Sequence, residues 1–237
     1  MKVVALLTGR GNNTLADKNI LPVLGKPLLY YPANAGKRSK YIKEFYVSSD
    51  DHKILDIAGE LGYKRIVRPQ ELAAPNAQHV DAITHALKKM KAEDGIEPDI
   101  LVVLMANSAT IKSGWIDKCL EIMMNDNEVS AMVPVYEDSD HHPFRAKSIG
   151  SDGYLNTFID FKGQQISTNR QDLAPSYFLC HNFWVLNVKK SIFQEDGQKP
   201  WSFMGSKIKP YIVEKTIDVH DMEDLLKTEK WLRKKTN

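Results

Sequence analysis

Short apolar runs alternate with helical patterns from residue 3 to residue 135, and this alternation limits the fold more than any other feature. Residues 100–105 (ILVVLM) are continuously apolar, which predicts a central strand of a parallel sheet with both faces covered. Residues 79–92 place apolar side chains at helical spacing, which predicts an amphipathic helix packed on that sheet. The alternation predicts an α/β protein with a doubly wound, mostly parallel sheet.

The same patterns predict the other elements. Pro27 is placed to open a helix, Asp51 and Ser113 are placed to cap helices, and another helix follows Asp221. Gly62 is placed to close the helix that follows Asp51. Further strands are predicted at residues 3–7, 43–48, 64–67, 129–135 and 182–188.

The pattern changes between residues 136 and 177. This stretch has glycines, an acidic and histidine-rich turn and short mixed segments, but no clean helical period. It predicts a β-rich insertion that lies over the sheet or reaches a partner subunit. No internal repeat or long linker divides the chain, so residues 1–237 are expected to form a single domain.

Composition excludes several classes of protein. A net charge of +2 gives no general attraction for polyanions, so nucleic acid is not an expected partner. The apolar runs are too short to span a membrane, and the chain opens on a strand without a signal-peptide pattern. Cys119 and Cys180 lack the close histidines or cysteines of a zinc site and are expected to be reduced thiols. We therefore expect a soluble, cytoplasmic protein.

A loop rich in glycine follows the first predicted strand. Gly9 and Gly11 allow close backbone approach, while Arg10 and Lys18 can neutralise charge, as a polyphosphate site requires. The loop matches neither the P-loop pattern nor the dinucleotide pattern Gly-x-Gly-x-x-Gly, because Thr14 stands at the position of the third glycine. An ordinary strand-to-helix turn with solvated cations is the alternative.

Polar clusters follow several predicted strands, at residues 8–19, 48–51, 68 and 106–110. In an open α/β sheet, ligands bind outside the carboxyl ends of the strands. The clusters therefore predict a nucleotide site at one edge of the sheet.

Six stretches carry a recognisable pattern: residues 10–28 (Arg10, Lys18-Asn19, Gly25-Lys26-Pro27-Leu28), 47–54, 68–83, 102–111, 169–186 and 217–225. In the same order, they resemble the CMP-sialic acid synthetase family, the cytidylyltransferases that activate acidic sugars. The resemblance implies a Rossmann-like nucleotidyltransferase fold and transfer of CMP from CTP to the anomeric hydroxyl of an acidic 2-keto sugar, a sialic-acid-like nonulosonate, with release of pyrophosphate. It also implies Mg²⁺ and a homodimer formed through residues 136–177.

The resemblance also assigns roles to individual residues. Arg10, Lys18 and Asp218 match catalytic positions, and Asp218 matches a Mg²⁺ ligand. The nucleotide-binding positions are Leu7, Thr8, Gly9, Arg10, Asn19, Arg68 and Gln78. The sugar-binding positions are Asn107, Arg170, Gln171, Tyr177 and Asn182. Structural roles remain the alternative for three of these: Arg68 capping a turn, Tyr177 at a rim and Asp218 preceding a helix.

This sequence departs from the family at four places. The loop after Arg10 is one residue shorter and lacks a lysine, Met105 stands where a glutamine is usual, and Gln78 replaces a serine. His220 replaces an acid in the metal motif, although Mg²⁺ prefers oxygen ligands. These departures predict a modified acidic sugar rather than N-acetylneuraminate.

Three other functions stay open: transfer to an eight-carbon keto sugar acid or another sugar, use of another nucleotide, and non-catalytic binding of a nucleotide or sugar. The remaining histidines give no sign of acid–base or metal chemistry. His141 and His142 are adjacent and point apart on a strand. His52, His79 and His85 are expected on helix surfaces.

Overall fold

The computed structural model describes residues 1–11 and 13–236, so Asn12 of the predicted loop lies outside the described residues. Within these residues, five α-helices alternate with the strands: α1 (Tyr30–Lys37), α2 (His52–Glu60), α3 (His79–Asp94), α4 (Ser113–Asn125) and α5 (Met222–Thr236). In the described part of the chain, no helix is both long and apolar enough to cross a membrane. The strands are β1 (Val3–Thr8), β2 (Pro22–Val23), β3 (Lys26–Pro27), β4 (Glu44–Ser49), β5 (Lys64–Val67), β6 (Ile100–Met105), β7 (Ala131–Glu137), β8 (Lys147–Ile149), β9 (Leu155–Thr157), β10 (Tyr177–Leu179), β11 (Phe183–Asn187) and β12 (Ile208–Ile212).

The central sheet has eight strands in the order β10-β7-β11-β6-β1-β4-β5, and β12 pairs with β7. Strands β6, β1, β4 and β5 run parallel to one another, whereas β11 lies antiparallel between β6 and β7. Helices α2, α3 and α4 follow β4, β5 and β6, as is usual between parallel strands of one sheet. The predicted α/β class with a mostly parallel sheet is confirmed.

Both faces of the sheet are covered at its central strands, which are apolar except for Thr8 at the end of β1. All six residues of β1 and all six of β6 are buried. Alternate residues of β1 belong to two cores: Ala5 and Leu7 pack in the core that includes residues of α2 and α4, and Leu6 packs in the core that includes residues of α3. The sheet is therefore a rigid support for groups at its carboxyl-terminal edge.

Two predicted helix starts are wrong. Pro27 pairs with Pro22 in the β2–β3 hairpin, whose turn residues Leu24 and Gly25 both have left-handed φ, and the helix begins only at Tyr30. Such two-residue turns match the twist of the hairpin. Ser113 is the first residue of α4 rather than its cap, and Lys112 occupies the cap position.

The stretch from residue 136 to 177 forms a separate two-stranded sheet, β8–β9, joined to the rest by turns and short 3₁₀ segments. Several of its large apolar side chains are exposed instead of packing in a core. Ile149, Tyr154, Leu155 and Phe158 are each at least 69% exposed. Exposed apolar groups in one segment are typical of a contact surface.

Candidate functional site

One cavity of about 630 Å³ opens at the carboxyl-terminal edge of the sheet. Its lining runs from the end of β5 to the ends of β1 and β6 and to the start of β11. With β4, which lies between β5 and β1, this distance covers five neighbouring strands. Strands lie about 4.8 Å apart, so this lining spans roughly 19 Å. The structure brings nine predicted site residues to it: Thr8, Gly9, Arg10, Lys18, Asn19, Arg68, Gln78, Asn107 and Asp218.

The loop after β1 is held in place by hydrogen bonds to its backbone. The buried Asn19 donates from Nδ2 to the carbonyl oxygen of Arg10 at 2.9 Å, and Gly11 N donates to Asp50 Oδ1 at 3.0 Å. A Cβ on Gly9 would lie 2.9 Å from Ala106 Cβ, so only glycine fits between the ends of β1 and β6. These contacts position Arg10 at the cavity wall.

Lys18 provides an ammonium group inside the cavity. Its Nζ donates to the carbonyl oxygen of Val219 at 2.9 Å. Burial lowers the pKa of Lys18, the carboxylate of Asp218 raises it, and Arg10 lowers it again. Two cations thus face the same space, where an anionic ligand would offset their repulsion.

Arg68 is a buried guanidinium that follows β5. Its Nη2 donates to the carbonyl oxygen of Ser48 at 2.7 Å, and its Nε donates to Ser48 Oγ at 3.2 Å. Burial lowers the pKa of Arg68 to about 10, with Asp50 opposing that shift, so the group stays charged at neutral pH. Arg68 therefore holds the end of β4 and also adds positive charge to the cavity.

Asp218 also lines the cavity, in the segment that precedes α5. Asn107 donates its side-chain amide to Asp218 Oδ1, and His220 Nε2 lies 3.2 Å from Asp218 Oδ2. Ser108 Oγ donates to the carbonyl oxygen of Ile217 at 2.8 Å and anchors this segment to the end of β6. Burial raises the pKa of Asp218, while His220 and Lys18 oppose that shift.

The donor set around Asp218 does not match the oxygen ligands that Mg²⁺ prefers. One carboxylate stands beside one imidazole, and the described residues include no group of three histidine, cysteine, aspartate or glutamate side chains that could hold a metal ion.

The cavity residues that were not predicted as site residues include His79, His181 and Trp184. The expectation that His79 lies on a helix surface is wrong, because the N-terminus of α3 meets the end of β1. His79 Nε2 lies 3.0 Å from Thr8 Oγ1, and its ring centroid is 5.1 Å from that of Trp184. Helical period alone does not report which neighbour covers the first turn of a helix.

The environment of His79 predicts acid sensitivity. Burial, followed by Arg68 and His181, lowers the pKa of His79 from 6.5 to about 4. Between these two values the unfolded chain binds more protons than the folded one, so the free energy of unfolding falls as pH falls. We expect His79 to account for about 2 kcal/mol of lost stability between pH 7 and pH 4.5.

Urea unfolding at both pH values measures this loss in the wild type and in the variant His79→Asn. The variant should lose less stability on acidification. His52→Asn, at the exposed first turn of α2, is the control and should behave like the wild type. Equal acid sensitivity in all three proteins would contradict the prediction.

The structure leaves five predicted site residues away from the cavity lining. Leu7 is fully buried in the core. Asn182 is also fully buried, donating to the carbonyl oxygen of Thr110 at 3.2 Å and accepting from Phe183 N at 2.9 Å. Arg170, Gln171 and Tyr177 are exposed, and Arg170 pairs with Asp140 at 2.6 Å. The assigned roles of these residues stay predictions.

A protein-family model described as Cytidylyltransferase matches residues 10–226 of this chain. The chain belongs to the cytidylyltransferase family. That match includes the loop after β1, Arg68, the end of β6 and the segment carrying Asp218.

Relatives of this cytidylyltransferase-family chain include sugar-acid enzymes. The N-acylneuraminate cytidylyltransferase of Streptococcus agalactiae serotype V is 28% identical over 234 residues, which are 95% of this chain and 52% of that protein. The chain thus spans about half the length of this relative. The pseudaminic acid cytidylyltransferase of Campylobacter jejuni serotype O:23/36 is 31% identical over 202 residues, covering 83% of this chain and 82% of that protein.

A solved structure has the same fold. It is the structure of CMP:2-keto-3-deoxy-manno-octonic acid synthetase complexed with CTP, and it aligns with a TM-score of 0.72 over 99% of this chain and all of its own. Sequence identity is 16%, so this likeness establishes the Rossmann-like nucleotidyltransferase fold alone.

Proposed function

We propose that this chain transfers CMP from CTP to the anomeric hydroxyl of an acidic 2-keto sugar, a sialic-acid-like nonulosonate, and releases pyrophosphate. The observation that carries the proposal is the convergence of Arg10, Lys18 and Arg68 in one cavity at the sheet edge, facing Asp218. Three cations suit a triphosphate, and a cavity about 19 Å long suits a nucleotide beside a second substrate.

The reaction leaves the protein little covalent work. The sugar hydroxyl oxygen forms a bond to the α-phosphorus and gives its proton to solvent. The bond from the α-phosphorus to the oxygen that bridges it to the β-phosphorus breaks, and pyrophosphate leaves with that oxygen. Arg10 and Lys18 stabilise the negative charge that gathers on the phosphate oxygens. The fixed loop after β1 holds the triphosphate in line with the attacking oxygen.

The choice of acidic sugar rests on the relatives. Two proteins with 28% and 31% identity are named for nine-carbon acids, N-acylneuraminate and pseudaminic acid. The structural neighbour is named for an eight-carbon acid, and that substrate remains the alternative.

A homodimer formed through residues 136–177 is part of this proposal. The exposed apolar side chains of β8 and β9 support such a contact. Arg170 and Gln171 lie in the same segment, where they would reach the cavity of a second copy. Sedimentation velocity should give a dimer for the wild type and a monomer for Ile149→Ser with Leu155→Ser. A wild-type monomer would contradict the dimer proposal.

Two expectations from the sequence stay predictions. Mg²⁺ dependence is one, and the donor set around Asp218 is the reason to test other ions beside it. The cytoplasmic location is the other, supported by the free, buried thiols of Cys119 and Cys180.

Pyrophosphate release tests the proposed function. The full chain is incubated with each of the four nucleoside triphosphates, a divalent metal ion and a panel of eight- and nine-carbon 2-keto sugar acids. Release with CTP and a nine-carbon acid is expected. Pyrophosphate release only with an eight-carbon acid would mean that the substrate is an eight-carbon and not a nine-carbon acid. CTP binding measured by calorimetry, without pyrophosphate release, would favour a non-catalytic relative.

A further inference from the structure

The contact between Asp218 and His220 has the dimensions of a metal-binding pair. Their Oδ2 and Nε2 atoms lie 3.2 Å apart at the cavity wall. Two donors held at about 2.1 Å by one ion lie about 3.0 Å apart at a right angle and about 3.4 Å apart at the tetrahedral angle. The observed separation falls between these values, so one ion can bridge the two atoms without moving either residue far.

The chemistry of the two donors determines which ion fits. Carboxylate oxygen suits hard ions, but imidazole nitrogen suits first-row transition metals and binds Mg²⁺ poorly. We propose that Asp218 and His220 hold a transition-metal dication of the Co²⁺ or Zn²⁺ class in preference to Mg²⁺. This proposal rests on the proposed function for one point only: the phosphates of CTP would supply further metal ligands.

The neighbouring residues fit a metal site at which the protein supplies two ligands. Asn107 donates to Asp218 Oδ1 and so orients the carboxylate, which leaves Oδ2 toward His220. His220 N donates to Asp224 Oδ2 at 3.1 Å, which fixes the backbone of the residue that carries the imidazole. Outer-shell hydrogen bonds of this type orient metal ligands in proteins. Because the described residues offer no third side chain at this position, the remaining ligands must come from phosphate or water.

Co²⁺ is the probe, because its visible absorption changes when imidazole nitrogen binds. Titration of the full chain with Co²⁺, with and without CTP, should give new bands that persist in a large excess of Mg²⁺. His220→Ala should weaken Co²⁺ binding by about tenfold or more, and His220→Asp should lower the preference for Co²⁺ over Mg²⁺ by a similar factor. Asp218→Asn tests the second ligand and should also weaken binding.

His141→Asn is the matched control. His141 Nδ1 lies 2.8 Å from Asp138 Oδ2, which makes a second histidine–carboxylate pair outside the cavity lining. This variant should keep wild-type Co²⁺ binding. The proposal is wrong if Co²⁺ fails to bind with or without CTP, or if His220→Ala binds it as well as the wild type does.

A parallel assay separates this proposal from the proposed function. Co²⁺ bands without pyrophosphate release under any condition would keep the metal site and remove the cytidylyl transfer. Pyrophosphate release with Mg²⁺ that is equal in the wild type and in His220→Ala, without Co²⁺ bands, would keep the cytidylyl transfer and remove the metal site.

Discussion

Replacing Lys18 with alanine is expected to lower kcat for pyrophosphate release by about 10²–10³, the usual effect of removing one preorganised donor from a reacting centre. The ammonium group lies in the cavity between Arg10 and Asp218, and burial already lowers its pKa. Its charge is therefore poorly screened by solvent and strongly felt by phosphate oxygens. Steady-state kinetics with CTP and the active sugar acid measure the loss.

Two further variants separate the charge of Lys18 from its packing. Lys18→Met keeps the side-chain stem but removes the charge, so it should lose as much activity as the alanine variant. Lys53→Ala is the control, because that exposed lysine of α2 pairs with Asp17 at the surface, where such pairs contribute little. Wild-type turnover in both Lys18 variants would remove this residue from the catalytic assignment.

The variant Arg68→Lys is expected to weaken CTP binding by about tenfold or more and to lower the free energy of unfolding by about 1–3 kcal/mol. The guanidinium donates from two nitrogens to Ser48, whose side chain is fully buried. A lysine cannot reproduce this forked contact, so it leaves a buried acceptor unpaired and moves the positive charge. Calorimetric titration with CTP and urea unfolding measure the two effects.

Arg65→Lys provides the matched control for Arg68→Lys, because it makes the same exchange in β5. Arg65 is exposed and pairs with Asp56 at 2.9 Å, so its change should cost less than about 0.5 kcal/mol and leave CTP binding unaltered. If both variants change CTP binding and the free energy of unfolding by the same amount, Arg68 does not have the role assigned to it here.

Sequence patterns predicted the strands best where the chain is buried on both faces. The run at residues 100–105 coincides with β6 because every one of its side chains is apolar and covered. The start of α1 was missed because Pro27 suits the first turn of a helix and the end of a hairpin equally well. The position of β11 between β6 and β7 could not be predicted, since an apolar run does not specify its partner strands.

The site residues that sequence patterns could predict are those whose position depends on one strand alone. Residues that directly follow strands, such as Thr8, Arg10 and Arg68, reach the cavity because parallel strands end at one edge. His79 and Trp184 were missed because their roles depend on which elements meet at that edge. Arg170 and Tyr177 belong to an exposed segment outside the cavity lining, and their predicted sugar-binding roles rest on the proposed dimer.

The antiparallel insertion of β11 has a consequence for how the chain emerges during translation. Strands β1, β4, β5 and β6 pair with one another, so this half of the sheet can assemble once residue 105 has emerged from the ribosome. Among the described strands, β7 pairs with β10, β11 and β12, all of which are synthesised later. The nascent polypeptide therefore carries β7 without its partners, and an open edge on β6, until β11 arrives from the ribosome.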